Sequence, residues 1–166
     1  MTLTLSHKDV ENLTLTFTTE FAASVDRVWQ VWEDPRQLER WWGPPTVPAT
    51  FTKLEFSPEG DARYFMTMPD GSRAYGWWRI LAVHAPHRLE FEDGFSDDSG
   101  EPVDSTDFAT CAVTLETVEN GTRMTLVNTF KSAEQLDEMM KMGMEEGMAE
   151  ALGQIDAILA ESSVSR

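Results

Sequence analysis

The chain has 166 residues, 41% of them hydrophobic, which is enough for one domain with a real core and too short for two. Its 29 acidic residues against 13 basic ones give a formal charge of −16, a field that repels phosphate backbones and anionic headgroups, so nucleic acid is excluded as an expected partner. No apolar run approaches the ~18–20 residues that cross a bilayer, and nothing near the N-terminus joins a basic region to an apolar core, so a cytoplasmic protein without membrane insertion is expected.

In chain order, residues 1–11 are weakly patterned and carry no predicted element. Residues 12–21 alternate Leu13, Leu15 and Phe17 with Thr14, Thr16 and Thr18, the period of a half-buried strand. Ser24 then caps a short helix whose Val25, Val28, Trp29 and Trp32 fall at i, i+3, i+4 and i+7 on one face. Asp34-Pro35 starts a second short helix, since Asp caps well and proline is tolerated at the first helical position. This helix carries Leu38, Trp41 and Trp42, and Gly43-Pro44-Pro45 ends it.

From residue 50 to 130 the pattern is that of strands. FTKLEF, ARYFMTM and RAYGWWRILAV are separated by the turn sequences SPEG and PDGS, and HRLEFE follows Ala85-Pro86. The acidic segment 94–107 reads as the longest loop, and DFATCAVTLETV and TRMTLVNTF are joined at Glu119-Asn120-Gly121. The count is six strands after the helix pair, or seven with the N-terminal one. A long amphipathic helix over roughly 133–160 ends the chain, with Leu136, Met140, Met144, Gly147, Ala151, Ile155 and Ile158 on one face. These elements form one core if the antiparallel sheet curls around the terminal helix, an α+β architecture.

The order of elements, Val28-Trp29, the WWGP at 41–44, the PDG turn at 69–71 and a terminal helix containing Gly147 resemble the START-like helix-grip (SRPBCC) superfamily. The branch most similar is that of the C-terminal domain of the activator of Hsp90 ATPase. The resemblance runs from about Leu13 to Leu159 and implies one domain over 1–166 with its core at about 13–160. It implies a curved sheet gripping a long C-terminal helix, and it admits lipid carriers, receptors, cyclases and co-chaperone domains. Two departures bear on function. Gly147-Met148, amid Met139, Met140, Met142 and Met144, replaces the Gly-Trp that members often carry, exchanging a rigid wall for a deformable one. Only about a dozen residues precede the first predicted strand, which argues against co-chaperone activity of the two-domain kind.

In one reading Trp41 and Trp42 close one end of the space between sheet and terminal helix and Gly-Pro-Pro turns the chain back. In the other, one of the two rings also lines the mouth of a cavity, since adjacent helical residues point ~100° apart and cannot both face the same way. Gly143 and Gly147, each costing roughly 1 kcal/mol in a helix interior, mark either a close approach of the helix to the sheet or room for a ligand. The facing strands offer Tyr64, Met66 and Met68, then Leu89 and Phe91, then Cys111, Val113 and Leu115, then Met124, Leu126 and Phe130. Asn128, in register with the last set, is either bonded within the fold or offered to a ligand, because an unpaired buried amide costs ~1–3 kcal/mol. Tyr75, Trp77 and Arg79 oppose Gly76, Trp78 and Ile80, and a bulge would exchange the two faces, so the choice between Trp77 and Trp78 stays open.

No nucleophile–base pair is legible. Cys111, the single cysteine, excludes an internal disulfide and sits as a small core residue. His7, His84 and His87 are scattered without ligand partners, so neither a metal nor a cofactor is expected. Arg63, Arg73 and Arg79 hold an anionic ligand head or pair with surface acids. The leading reading is non-catalytic binding of a small hydrophobic or amphipathic molecule by Trp41, Trp42, Tyr64, Met66, Trp77, Phe91, Asn128, Met140, Met144, Gly147 and Met148, with the terminal helix and the Trp41-Trp42 segment as the gate, while segment 94–107 is either a solvated loop without a role or a lid over one mouth. The alternatives are a cyclase- or hydrolase-like enzyme using the same cavity, with Asn128, Tyr64 or an arginine orienting the substrate, and a protein-interaction or stress-related domain that contacts a partner or forms a homodimer.

Overall fold

Strands whose apolar residues alternate must present one face to a core, and here they do so in one continuous sheet. The computed structural model describes residues 4–104 and 107–162. Strands β1 (Thr4–Asp9), β2 (Thr14–Phe21), β3 (Ala49–Leu54), β4 (Asp61–Thr67), β5 (Arg73–His84), β6 (Arg88–Phe95), β7 (Phe108–Val118) and β8 (Gly121–Thr129) form an eight-stranded sheet in the order β1-β2-β8-β7-β6-β5-β4-β3. Every neighbouring pair is antiparallel. Strands β3 to β8 are a meander, and β2 closes it by pairing with β8. The fold is α+β with a helix-grip arrangement.

Helices α1 (Val25–Glu33) and α2 (Pro35–Trp41) follow β2. Their caps are those the sequence marks: Ser24 Oγ accepts from Arg27 N at 3.2 Å, and Asp34 Oδ1 accepts from Arg36 N at 3.0 Å. The apolar stripe of α1 is buried, with Val28 and Trp32 fully so. Trp32 meets Trp41 edge to face at 4.7 Å, and its Nε1–H points at Met124 Sδ, 3.3 Å away.

The C-terminal helix is divided into α3 (Ala133–Lys141), α4 (Met144–Leu152) and α5 (Ile155–Ser162). Gly143 is the first break. It adopts φ +86°, the left-handed conformation that ends helices, instead of the helix-interior position expected for it. The second break is at Gly153, and the buried residues Leu136, Ala151, Leu152, Ile155 and Ile158 still face one core.

The eighth strand is β1, where the sequence carries no predicted element. It is mostly exposed, with Leu5 61% accessible, because it lies at the sheet edge and contributes little to the core. Its hydrogen bonds to β2 and a bond from Ser6 Oγ to Glu145 Oε2 on α4, 2.6 Å, hold it.

Candidate functional site: a methionine-roofed cavity

The face of the sheet toward the helices is built in cross-strand rows. Leu15, Asn128, Cys111 and Phe91 form one row, and Ala62, Trp78, Asp93 and Ala109 form the next. Beyond them Tyr64 pairs with Gly76. A Cβ on Gly76 would lie 2.4 Å from Tyr64 Cζ, so the missing side chain is what lets the phenol lie across β5. From there the Tyr64 hydroxyl donates to Asp93 Oδ1 at 2.8 Å.

Between these rows and the helices lies a cavity of about 300 Å³, the lower end of the range that holds small molecules. The sheet supplies Tyr64, Met66, Asp93, Ala109, Cys111 and Asn128. Helices α3 and α4 and the turn between them supply Met139, Met142, Met144, Gly147, Met148 and Ala151 as a roof. Methionine side chains are flexible and polarizable, so this roof can follow ligands of varied shape. Trp42, Gly43 and Pro44 close one end.

The same end explains the Trp-Trp-Gly-Pro-Pro sequence. Trp41 is fully buried, donating from Nε1 to Val31 O at 2.8 Å, whereas Trp42 turns toward Trp78 and Tyr64 at the cavity wall. A Cβ on Gly43 would lie 2.0 Å from Val47 O, so only glycine permits the turn that follows. Gln154 Nε2 fixes that turn by donating to Gly43 O at 2.6 Å.

Of the expected site residues, Trp42, Tyr64, Met66, Asn128, Met144, Gly147 and Met148 line the cavity. Trp41, Trp77, Phe91 and Met140 do not. Trp41 belongs to the core described above. The bulge between Ile80 and Ala82 falls after the tryptophans, so Trp78 faces the helices while Trp77 packs on the opposite face against Phe108 at 6.0 Å and over Gly94. Phe91 is fully buried and stacks on Trp78 at 4.0 Å, filling the core instead of the cavity. Met140 is displaced because the break at Gly143 prevents the face of α4 from continuing onto α3, where Met139 lines the cavity.

Among its described residues the acidic segment takes the solvated-loop alternative and not that of a lid. Its turn is closed on itself by Asp97, which accepts from Ser99 N and Glu101 N. Its Gly100 carbonyl accepts from Arg63 Nε at 2.5 Å, on the Trp77 face of the sheet. Only its ends, Gly94, Phe95 and Asp107, reach the cavity among the described residues, and Ser105 and Thr106 lie outside those residues. Gln135 Nε2 ties the mouth together by donating to Asp107 Oδ1 and Phe108 O.

Asp93 is the residue the sequence reading missed. Burial pushes its carboxyl up to about 7, against the opposing pull of the Tyr64 hydrogen bond. The part of its surface left open faces the cavity. Burial and the Asp93 charge push the Tyr64 phenol well above its ordinary range. The Trp42 indole N–H acts weakly the other way from a position short of a formed hydrogen bond. Burial, and secondarily Asp93, also push the Cys111 thiol up, which makes it a poor nucleophile. Asn128 donates from Nδ2 to Leu15 O at 3.2 Å, its one side-chain hydrogen bond among the described residues, and the amide oxygen is left to the cavity.

Comparison with known proteins agrees with this fold. The family described as "Activator of Hsp90 ATPase homolog 1-like protein" matches residues 22–160. A protein from Arthrobacter aurescens, solved in solution by NMR, is 56% identical with a TM-score of 0.89, the match covering 95% of this chain and 91% of that one. The crystal structure of Ms6760 from Mycobacterium smegmatis is 45% identical with a TM-score of 0.87, over 95% of this chain and 98% of its own. The AHSA1 protein of Silicibacter pomeroyi, 22% identical with a TM-score of 0.71 over 98% of this chain and 99% of its own, shares the fold. No curated protein matches the chain significantly.

Proposed function

The chain belongs to the activator of Hsp90 ATPase homolog 1-like family, and we propose that within it this protein is a non-catalytic binder of a small hydrophobic or amphipathic molecule. The observation that carries the reading is the cavity: about 300 Å³ between sheet and helices, walled by aromatics and roofed by methionines. Covering ~300 Å² of apolar ligand surface at ~25 cal/mol/Å² gives about 7 kcal/mol gross, so after ordering costs the affinity is modest and exchange is rapid, as a carrier requires. The cytoplasm is the proposed place of action, in keeping with the lone buried cysteine.

Chemistry in the same cavity is the weaker reading. Among the described residues the acid–phenol pair of Asp93 and Tyr64 has no nucleophile with a base beside it, and Cys111 is held as the thiol. The family match favours a second reading, a domain that contacts a partner protein as the family's description suggests. Native mass spectrometry of the protein purified without detergent tests the proposal. A co-purifying apolar molecule released intact on denaturation supports binding. A ligand-free protein whose tryptophan fluorescence no apolar compound changes refutes it and leaves the partner-protein reading.

A further inference from the structure

The cavity's polar groups are gathered at one place and carry one sign. Asp93 lies in its sheet wall with Oδ1 engaged by Tyr64, and that bond is its only one among the described residues, so the second carboxyl oxygen is left for a ligand. Among the described residues no basic side chain lines the cavity. The titratable groups that face Asp93 are Tyr64 from β4 and Cys111 from β7. β5 presents Trp78 and Gly76, α3 and α4 present methionines with Gln135 and Gly147, and Asp107 stands at the mouth. The arginines of the neighbouring strands are on the far face, Arg63 bonded to Gly100 O, Arg73 over the Phe65 ring at 4.2 Å and Arg79 3.8 Å from Glu92. Lys131 is exposed and sits over the Phe108 ring at 3.8 Å, outside the lining.

We propose that Asp93 is a specificity determinant: the cavity accepts amphiphiles whose head group donates a hydrogen bond and carries no negative charge, long-chain alcohols or amines, and rejects fatty carboxylates. This rests on the cavity being a ligand site. A hydroxyl or ammonium placed at the Tyr64–Asp93 pair donates a hydrogen bond to the free carboxyl oxygen, with the alkyl chain under the methionine roof. A carboxylate head meets a like charge in a site of low dielectric with no cation among the described lining residues to offset it, an arrangement that costs about tenfold or more in affinity. Binding of a carboxylate therefore requires Asp93 to take up a proton first. With its carboxyl pushed up to about 7, the neutral fraction rises from ~0.1 at about pH 8 to ~0.9 at about pH 6. The apparent affinity scales with that fraction, a gain of roughly tenfold.

The test is displacement of the neutral dye N-phenyl-1-naphthylamine by decanol, decylamine and decanoate, each below its micelle concentration. At about pH 8, decanol and decylamine should displace the dye and decanoate should be at least ~10-fold weaker. Decanoate should gain roughly tenfold by about pH 6, while decanol stays level. Asp93→Asn should remove both the discrimination and the pH dependence. Should that variant fail to fold, the pH series on the unaltered protein decides alone. Equal displacement by all three compounds at about pH 8, or decanoate binding that ignores pH, overturns the specificity while leaving the cavity reading intact. Absence of dye binding together with absence of any effect of decanol overturns both.

Discussion

Substituting Asp93 by asparagine should stabilise the protein at neutral pH and do so less and less as the pH falls. The native carboxyl titrates at about 7 against an ordinary value of 3.8, a difference of about 3 units or on the order of 4 kcal/mol. The sign follows from proton counting. Between about pH 4 and about pH 7 the folded state holds a proton that the unfolded state has released, so stability falls as pH rises through this window, and above it the loss is complete. Asparagine does not titrate, keeps an oxygen for the Tyr64 hydroxyl, and is spared that loss. The 4 kcal/mol is an upper figure, because water in the cavity screens the charge. Urea unfolding of both proteins at about pH 4, 6 and 8 should show the variant's advantage growing by ~2–4 kcal/mol across the series. A difference that is constant with pH, or that grows toward acid, would refute the argument that Asp93 is a desolvated carboxyl. Stability given up at one inward-facing acid is the pattern expected of a site residue.

Three further outcomes follow from the geometry. Gly147→Leu should raise the melting temperature, since a helix-interior glycine costs ~1 kcal/mol and the new Cβ meets only Pro44 Cγ at 3.6 Å, yet it should weaken dye binding at least tenfold by filling the cavity; unchanged binding would move Gly147 out of the site. Trp41→Phe, which loses the bond to Val31 O, should cost ~2–3 kcal/mol in urea unfolding, whereas Trp42→Phe should cost less and remove most of the ligand-dependent fluorescence change; the reverse order would exchange their roles. Deleting Asp97–Glu101 should lower the melting temperature by only a few degrees and leave dye exchange rates unchanged in stopped flow, because this turn packs by Arg63 on the far face; faster exchange would restore the lid.

Much of the fold was legible because its signals are local. The threonine–apolar alternation of β2 and the caps Ser24 and Asp34-Pro35 each point to one structure, and each is found. The edge strand β1 was not legible, since a strand that buries little needs no alternation. Nor was the break at Gly143, where the methionine pattern runs on as if helical while the backbone turns left-handed. In the site, Trp41 and Trp42 could be divided by angle but not assigned, because the assignment depends on Val31 O and Tyr64, distant partners that no spacing reveals. Asp93 does carry a signal in the sequence. Leu89, Phe91 and Asp93 continue one alternation, so an acid two residues beyond Phe91 stands on the inward face of β6 and is not the start of the loop.

The most direct test of the ligand site is a carbon-13 methyl spectrum of the methionines. In a protein labelled at the methionine methyl groups, titration with decanol should shift Met66, Met139, Met142, Met144 and Met148, which line the cavity, and leave Met124, buried beneath Trp32, in place. Shifts confined to the exposed Met68, or no shifts at all at saturating decanol, would contradict the account.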